Sequence, residues 1–411
     1  MNTLFEQFPP TLADAEHRVK LINPRAYAST RNFLNGSVTR LSPYLTHGFI
    51  SLADIAPAIE AKYSAGECEK LLMEFGWREF FQHVWRHLGD GVLHDVKPGL
   101  NGVRYEPGFP DDIAEARTGI PVIDEAVREL YATGYLHNHA RMWLASYVVH
   151  LRKVYWRAGA DWMIAHLLDG DFGSNHLSWQ WVAGTFSSKP YLFNAENVAR
   201  YSANSAPSWA SEGTLIDTSY EALDVIARSQ KTLGPNPKAA RLDATCQPRL
   251  LTRPTDVPKA VLSAVPTAVP TAVPVLASEV VLIHPWDLAE PVVMADKKQR
   301  LGIIHLPFHA DFPWSERRWN FVMARLREVT NDIFIGDVNQ LILENKNTKF
   351  SATATYHFGY RRVLSSPAVT LVPIRRFTAD PAKLCGSFTR FWSAVGRERV
   401  SQFGGRGGKR D

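Results

Sequence analysis

Apolar positions recur every three to four residues through much of the first 230 residues. In Glu69–Leu88 (EKLLMEFGWREFFQHVWRHL), and from Pro121 to Tyr131 where Ile123, Val127 and Leu130 share a face, this spacing predicts amphipathic helices. Pro121 falls in the first turn of the second, where its missing amide costs nothing. Residues 139–157 and 160–169 read as further helices, and no alternating strand pattern appears before residue 230. Beyond it the pattern changes. Short apolar runs at Val280–His284, Gly302–Leu306, Ile333–Gly336 and Val369–Ile374 alternate with the helical stretches Ser315–Val329 and Pro381–Val395. That alternation predicts a small, mostly parallel sheet. Between the two regimes lies Pro254–Pro274, a Pro-Thr-Ala-Val repeat expected to be an extended linker. The expected organisation is an all-α domain over 1–230, a Pro/Ala/Val-rich linker over 231–278, a compact α/β domain over 279–396 and a basic flexible tail over 397–411.

Charge sharpens this division. The 411 residues carry a net +5, but residues 1–230 hold 20 Lys+Arg against 26 Asp+Glu, and the remainder 26 against 15. The first part is acidic and the second basic. Of 12 tryptophans, eight precede residue 230. Cys68, Cys246 and Cys385 stand too far apart for a disulfide framework or a Cys-ligated metal or iron–sulfur cluster, which suggests a reducing, cytoplasmic setting. The N-terminus lacks a charged start with an apolar core, and no apolar run is long enough to span a bilayer, so neither export nor membrane insertion is expected.

Four segments carry candidate chemistry. Glu74, Trp77 and Arg78 lie at i, i+3 and i+4, so a carboxylate, an indole and a guanidinium share one helical face. They suit a pocket for a heterocycle, although a salt-bridge stripe beside a core tryptophan has the same spacing. Asn138, Arg141 and Met142 repeat this geometry; His137 and His139 nearby face different sides of a helix and make a poor metal pair. In LDGDFGSNHLSWQW, Asp169, Asp171 and Asn175 surround two glycines, without the remaining ligands of a calcium loop. Acceptors on such a loop suit the hydroxyls and ring nitrogens of an organic cofactor. Finally, GSVTRLSPYL places hydroxyls and amides before a helix, an environment that favours phosphate but is also an everyday cap. Neither a Walker loop nor GxGxxG occurs.

In this order, TRLSPYLTHG, EFGWREFF, TGIPVIDEAVRELYATGYLHNHARM and HLLDGDFGSNHLSWQW resemble the FAD-binding domain of the photolyase/cryptochrome family, over roughly residues 25–200. The resemblance implies an all-α FAD-binding domain, here followed by a small Rossmann-like α/β domain. It implies FAD contacts by Tyr27, Thr39, Leu41, Ser42, Arg78, Asn138, Arg141, Asp169, Asp171 and Asn175. Arg141 and Asp169 correspond to an ion pair beside the flavin ring, and Asn175 to the residue facing its N5. Glu74, Trp77, Asn138, Met142 and Trp181 correspond to a pocket for a DNA lesion, and Trp179 and Trp156 to the first members of a photoreduction chain. The third tryptophan of that chain is not in its family place; Tyr105, Tyr147, Tyr155 and Trp162 are the substitutes the sequence offers.

Glu74, Asn138 and Met142 are the residue types of family members that split cyclobutane pyrimidine dimers rather than (6-4) photoproducts. An α/β unit after the FAD domain resembles the bacterial subgroup with inverted domain order, called NewPHL, whose second domain caps the flavin site and whose members act on single-stranded DNA. Leu71, where many dimer photolyases have tryptophan, and FNAEN in place of an FNP ending, are departures. The expectation is therefore a monomeric, FAD-dependent, light-driven lyase for dimers in single-stranded DNA, with no metal. The rivals are a cryptochrome-type photoreceptor and a nucleic-acid-binding flavoprotein that has lost photochemistry.

Overall fold

The computed structural model describes residues 7–203, 207–236, 244–256, 276–289 and 298–395. The expected repeat linker, apart from Pro254–Asp256, and the expected basic tail lie outside the described residues. The chain forms two compact units. One gathers the described parts of Met1–Pro24, Thr39–Gly89 and Leu250–Asp411; the other comprises Arg25–Val38 and the described parts of Asp90–Arg249.

The second unit is helical. Pro121–Thr133 ends at Gly134, whose φ of 70° suits glycine in a left-handed cap. Asn138–Ser146 runs into a π-helical turn, Tyr147–Leu151, and the chain then breaks before Trp156–His166. This break divides the single helix expected over 139–157. Lys153 adopts φ 55°, Val154 bridges to Glu106, and Lys153 Nζ donates to the carbonyls of His150, Ile226 and Ala227 at 2.7–2.8 Å. A buried ammonium there satisfies helix-end carbonyls that a continuing helix would have consumed. Phe172–Ala183 is capped by Asp171, whose carboxylate accepts from Ser174 N at 2.7 Å. Trp143, Trp156, Trp162, Trp179 and Trp209 all lie in its apolar core.

The first unit contains a five-stranded parallel sheet, in the order Asp332–Gly336, Gln299–His305, Glu279–Ile283, Lys349–Thr353, Val369–Val372. Four strands are those the apolar runs mark. Lys349–Thr353 (KFSAT) is not marked, because only Phe350 and Ala352 are buried and its other positions are polar. Ala65–Leu88 begins at a capping box formed by Ser64 and Glu67 and ends at Gly89, φ 54°. Within the expected helix at Pro381–Val395, only residues 388–395 are helical.

Thr39–Gly89 packs in the same unit as the sheet, which differs from the sequential boundary expected near residue 230. Specific contacts explain it. His47 Nδ1 lies 2.7 Å from Pro285 O, Leu288 N donates to His47 O at 3.0 Å, and Phe49 stacks on Phe321. Arg376 forms a buried ion pair with Glu79, and Asp380 meets His83 at 2.6 Å and also pairs with Arg86.

Buried histidines set an acid limit on the helical unit. Burial pushes His150 down to about 4, against a smaller opposing pull from its hydrogen bond to Val182 O, and burial pushes His166 down to about 3. Both folded values lie below the unfolded one, so their stabilising contribution is present above about pH 6.5 and is lost as pH falls toward 4. Each histidine removes up to about 1.4 kcal/mol per pH unit in that window. The urea midpoint should therefore stay nearly level above about pH 6.5 and drop from there to pH 5; a midpoint constant between pH 6.5 and 5 would contradict the burial account.

Candidate functional site

Within the helical unit, the loop between Trp156–His166 and Phe172–Ala183 brings polar groups against Asn138–Ser146. Arg141 Nη2 donates to Asp169 Oδ2 at 2.8 Å and Arg141 Nε to Leu136 O at 2.9 Å, while its guanidinium lies over the Tyr135 ring at 5.3 Å. Burial works against the Arg141 charge, but Asp169 outweighs it, so the guanidinium is held above its ordinary pKa and stays a fixed cation. Asp171 and Asn175 are buried. Asn175 Nδ2 donates to Ala160 O at 2.9 Å, which fixes its carbonyl oxygen on the opposite edge of the amide. Asn138 is exposed, with its Nδ2 3.3 Å from Met142 Sδ one turn along.

The aromatic residues of this unit separate into two groups. Trp156 and Trp179 are each 2% exposed. A Cβ on Gly159 would stand 2.4 Å from the Trp179 ring, so only glycine lets the helix beginning at Trp156 approach that ring. Trp181, by contrast, is 38% exposed and tilts against Tyr191 at 5.8 Å. Tyr27 lies half-buried on the Pro24–Thr30 helix.

Within the sheet-containing unit, Glu74, Trp77 and Arg78 share a face of Ala65–Leu88. Lys70 Nζ meets Glu74 Oε1 at 2.9 Å along this helix, and Arg78 Nη2 donates to Thr46 Oγ1 at 3.0 Å. Thr39 and Ser42 are half-buried, Leu41 is fully buried, and Ser42–Thr46 is a helix of only five residues. A helix so short lends little dipole, so the phosphate role of these residues rests on the resemblance alone. Phe388 stacks on Trp77 with centroids 3.9 Å apart and planes at 10°, and Trp392 lies against Gly76. The contact joins residues more than 300 positions apart, and no local pattern reveals it.

Residues 71–209 match the family model described as the FAD binding domain of DNA photolyase. Over those residues the chain is similar to the FAD-binding domain of the photolyase/cryptochrome family, a likeness that gives FAD as its cofactor. The chain is 35% identical over 160 residues to a deoxyribodipyrimidine photo-lyase of Streptomyces griseus, covering 39% of this chain and 35% of that one. It is also 35% identical over 166 residues to the enzyme so named in Thermus thermophilus, covering 38% of each. The chain thus spans under two fifths of the length of these relatives. Among solved structures it resembles a class III photolyase of Agrobacterium tumefaciens at 22% identity and TM-score 0.45, covering 56% of this chain and 52% of that one.

The residues of the helical unit fit FAD chemically. Ser174 Oγ is buried with no hydrogen-bond partner among the described residues, next to Asn175 and one turn from the Asp171 cap. Hydroxyl, amide and carboxylate oxygens are what ribityl hydroxyls and a ring N–H require, and a fixed Arg141 cation favours an anionic flavin. No group of three or more His, Cys, Asp or Glu that could hold a metal ion occurs among the described residues.

Removing one partner of the Arg141–Asp169 pair leaves a charge that is 4% exposed on Asp169 without its cation. Arg141→Met should destabilise flavin-free protein by about 3 kcal/mol. Adding Asp169→Asn should recover part of that loss by removing the stranded charge. Chemical denaturation of the single and double variants measures both effects.

Proposed function

We propose that this protein is a light-driven lyase that splits cyclobutane pyrimidine dimers in DNA, prefers single strands, and has the inverted domain order of the NewPHL subgroup, with its Rossmann-like α/β domain after the FAD domain. The observation that carries the reading is the fixed Arg141–Asp169 pair with Asn175, inside the segment that matches a photolyase FAD-binding domain. When bound and reduced, FAD supplies a light-excited electron that returns after the dimer opens, so no net oxidation occurs.

The residues divide the remaining work. Arg141 holds a positive charge where an anionic cofactor needs one, and Asp169 keeps that guanidinium in place. Asn175 presents a carbonyl oxygen on a buried helix, and Asp171 fixes the start of that helix. In the proposed roles, Tyr27, Thr39, Leu41, Ser42 and Arg78 complete the cofactor contacts. Glu74 stabilises charge on a base carbonyl, and Trp77, Asn138, Met142 and Trp181 hold the lesion. Trp181 is exposed enough to receive a base, and aromatic stacking of this kind is worth about 1–3 kcal/mol per base in single-strand binders. A dimer in a single strand is also cheaper to present than one extracted from a duplex. The proposed setting is a monomeric, cytoplasmic protein.

A second reading, a cryptochrome-type photoreceptor without repair, has one observation in its favour. Phe388 covers a face of Trp77 at stacking distance, so a base could use that face only after Phe388 moved.

Blue light on reduced holoprotein with dimer-containing oligothymidylate should restore thymine absorbance, faster on the single strand than on its duplex. Glu74→Ala should lower the yield while FAD stays bound. No light-dependent recovery would leave the photoreceptor reading; loss of FAD from Glu74→Ala would mean that Glu74 serves the cofactor instead.

A further inference from the structure

Two side chains of the helical unit, Tyr155 and Trp156, share the carboxylate of Asp95. Trp156 Nε1 donates to Asp95 Oδ1 at 2.6 Å, and Tyr155 OH donates to the same oxygen at 3.0 Å. The Tyr155 and Trp156 rings are 5.6 Å apart. Burial changes sharply across this cluster: Trp156 is buried, Tyr155 half-buried and Asp95 exposed. Asp95, Tyr105, Tyr155 and Trp156 line a pocket of about 20 Å³, room for one water.

The surroundings hold this arrangement still. Tyr155 N donates to Glu106 O at 2.8 Å, Arg157 Nη1 to Leu93 O at 3.0 Å, and Val96 N to Gln180 Oε1 at 2.9 Å, which pins both sides of the Asp95 segment.

We infer that Tyr155 is the terminal electron donor of a route through Trp156 and Trp179, with Asp95 taking its proton; the inference rests on the light-driven flavin reading above. A phenol gives up an electron readily only if its proton can leave at the same time. Tyr155 is the candidate with an anionic acceptor in place. Tyr105 OH is buried with no hydrogen-bond partner among the described residues, so its proton has no acceptor there. Tyr147 OH accepts from the Arg152 guanidinium at 3.2 Å, a cation that opposes oxidation. Trp162 is stacked on Phe109, and its N–H donates to Tyr131 OH, a neutral phenol. Burial first, and then the Asp95 carboxylate, push Tyr155 up to about 12, so the proton stays on the phenol until an electron is withdrawn.

The step balances as follows. Trp179 gives one electron to light-excited oxidised FAD, Trp156 refills Trp179, and Tyr155 refills Trp156. As its electron leaves, the Tyr155 O–H bond breaks and a new O–H bond forms on Asp95, leaving a neutral phenoxyl radical and a protonated carboxyl. Asp95, exposed, passes the proton to water. An added thiol returns a hydrogen atom to the phenoxyl oxygen, and the thiyl radicals pair as a disulfide. While Trp156 carries the hole, its N–H contact with Asp95 stabilises the positive charge.

Flash absorption and time-resolved electron paramagnetic resonance on oxidised holoprotein with thiol test the assignment. The unaltered protein should show a phenoxyl signal, with a solvent deuterium effect on its formation. Y155F should lose the signal, shorten the lifetime of charge separation and slow steady photoreduction several-fold. D95N should lower the phenoxyl yield and abolish the deuterium effect. A phenoxyl signal of full amplitude in Y155F, or its loss in Y105F instead, would overturn the role of Tyr155. W156F separates this from failure of the underlying reading. Photoreduction unchanged in W156F removes the electron route altogether, whereas photoreduction lost in W156F with the signal retained in Y155F removes only Tyr155.

Discussion

The close approach of two helices at Gly159 is the constraint on which the helical unit depends. Any side chain there would strike the Trp179 ring, at 2.4 Å for the first carbon alone. With the backbone bare, Trp156–His166 lies against Phe172–Ala183, and the short connection between them carries Asp169 to Arg141 and lets Asp171 cap the second helix. Ala160 O, the next residue along, receives the Asn175 amide. His176 turns its ring edge to Trp156 and hydrogen-bonds Asp161 at 2.8 Å. One missing Cβ therefore fixes the proposed flavin contacts and the proposed electron route in a single piece of packing. Such packing tolerates little extra volume, because displaced aromatic rings in a dense core have nowhere to relax.

Charge is managed in the same economical way. Arg141 is kept ionised by one carboxylate and placed over Tyr135, while elsewhere in the unit His150 and His166 are held toward the neutral form by burial. In the other unit the ionic contacts serve packing. Glu79, Arg376 and Asp380 tie Ala65–Leu88 to the segment following the last strand of the sheet.

Much of this was legible in the sequence where chemistry is local. The i, i+3, i+4 spacing put Glu74, Trp77 and Arg78 on one face, Pro121 marked the first turn of a helix, and four apolar runs marked four strands. The Asp-Gly-Asp segment reads as a loop for an organic cofactor, but the cap that Asp171 forms was not marked in it. What stayed hidden depends on distant partners. KFSAT is a strand because its neighbours in the sheet pair with it, and the break before Trp156 depends on a lysine that reaches Ile226 and Ala227. The grouping of Thr39–Gly89 with the sheet, and the ring of Phe388 on Trp77, arise from contacts across more than 200 residues. Asp95 was likewise invisible as a functional residue, since only the fold brings its carboxylate to the hydroxyl of Tyr155 and the N–H of Trp156.

The most direct test of the central claim is turnover counted per flavin. Reduced holoprotein, kept anaerobic with no further reductant, is illuminated with an excess of a dimer-containing oligonucleotide, and substrate and repaired product are separated by chromatography. Splitting by a returned electron predicts many repaired strands per flavin in the light, none in the dark, and a flavin still reduced at the end. Repair that stops at one strand per flavin as the flavin becomes oxidised, or no repair at all, would contradict it.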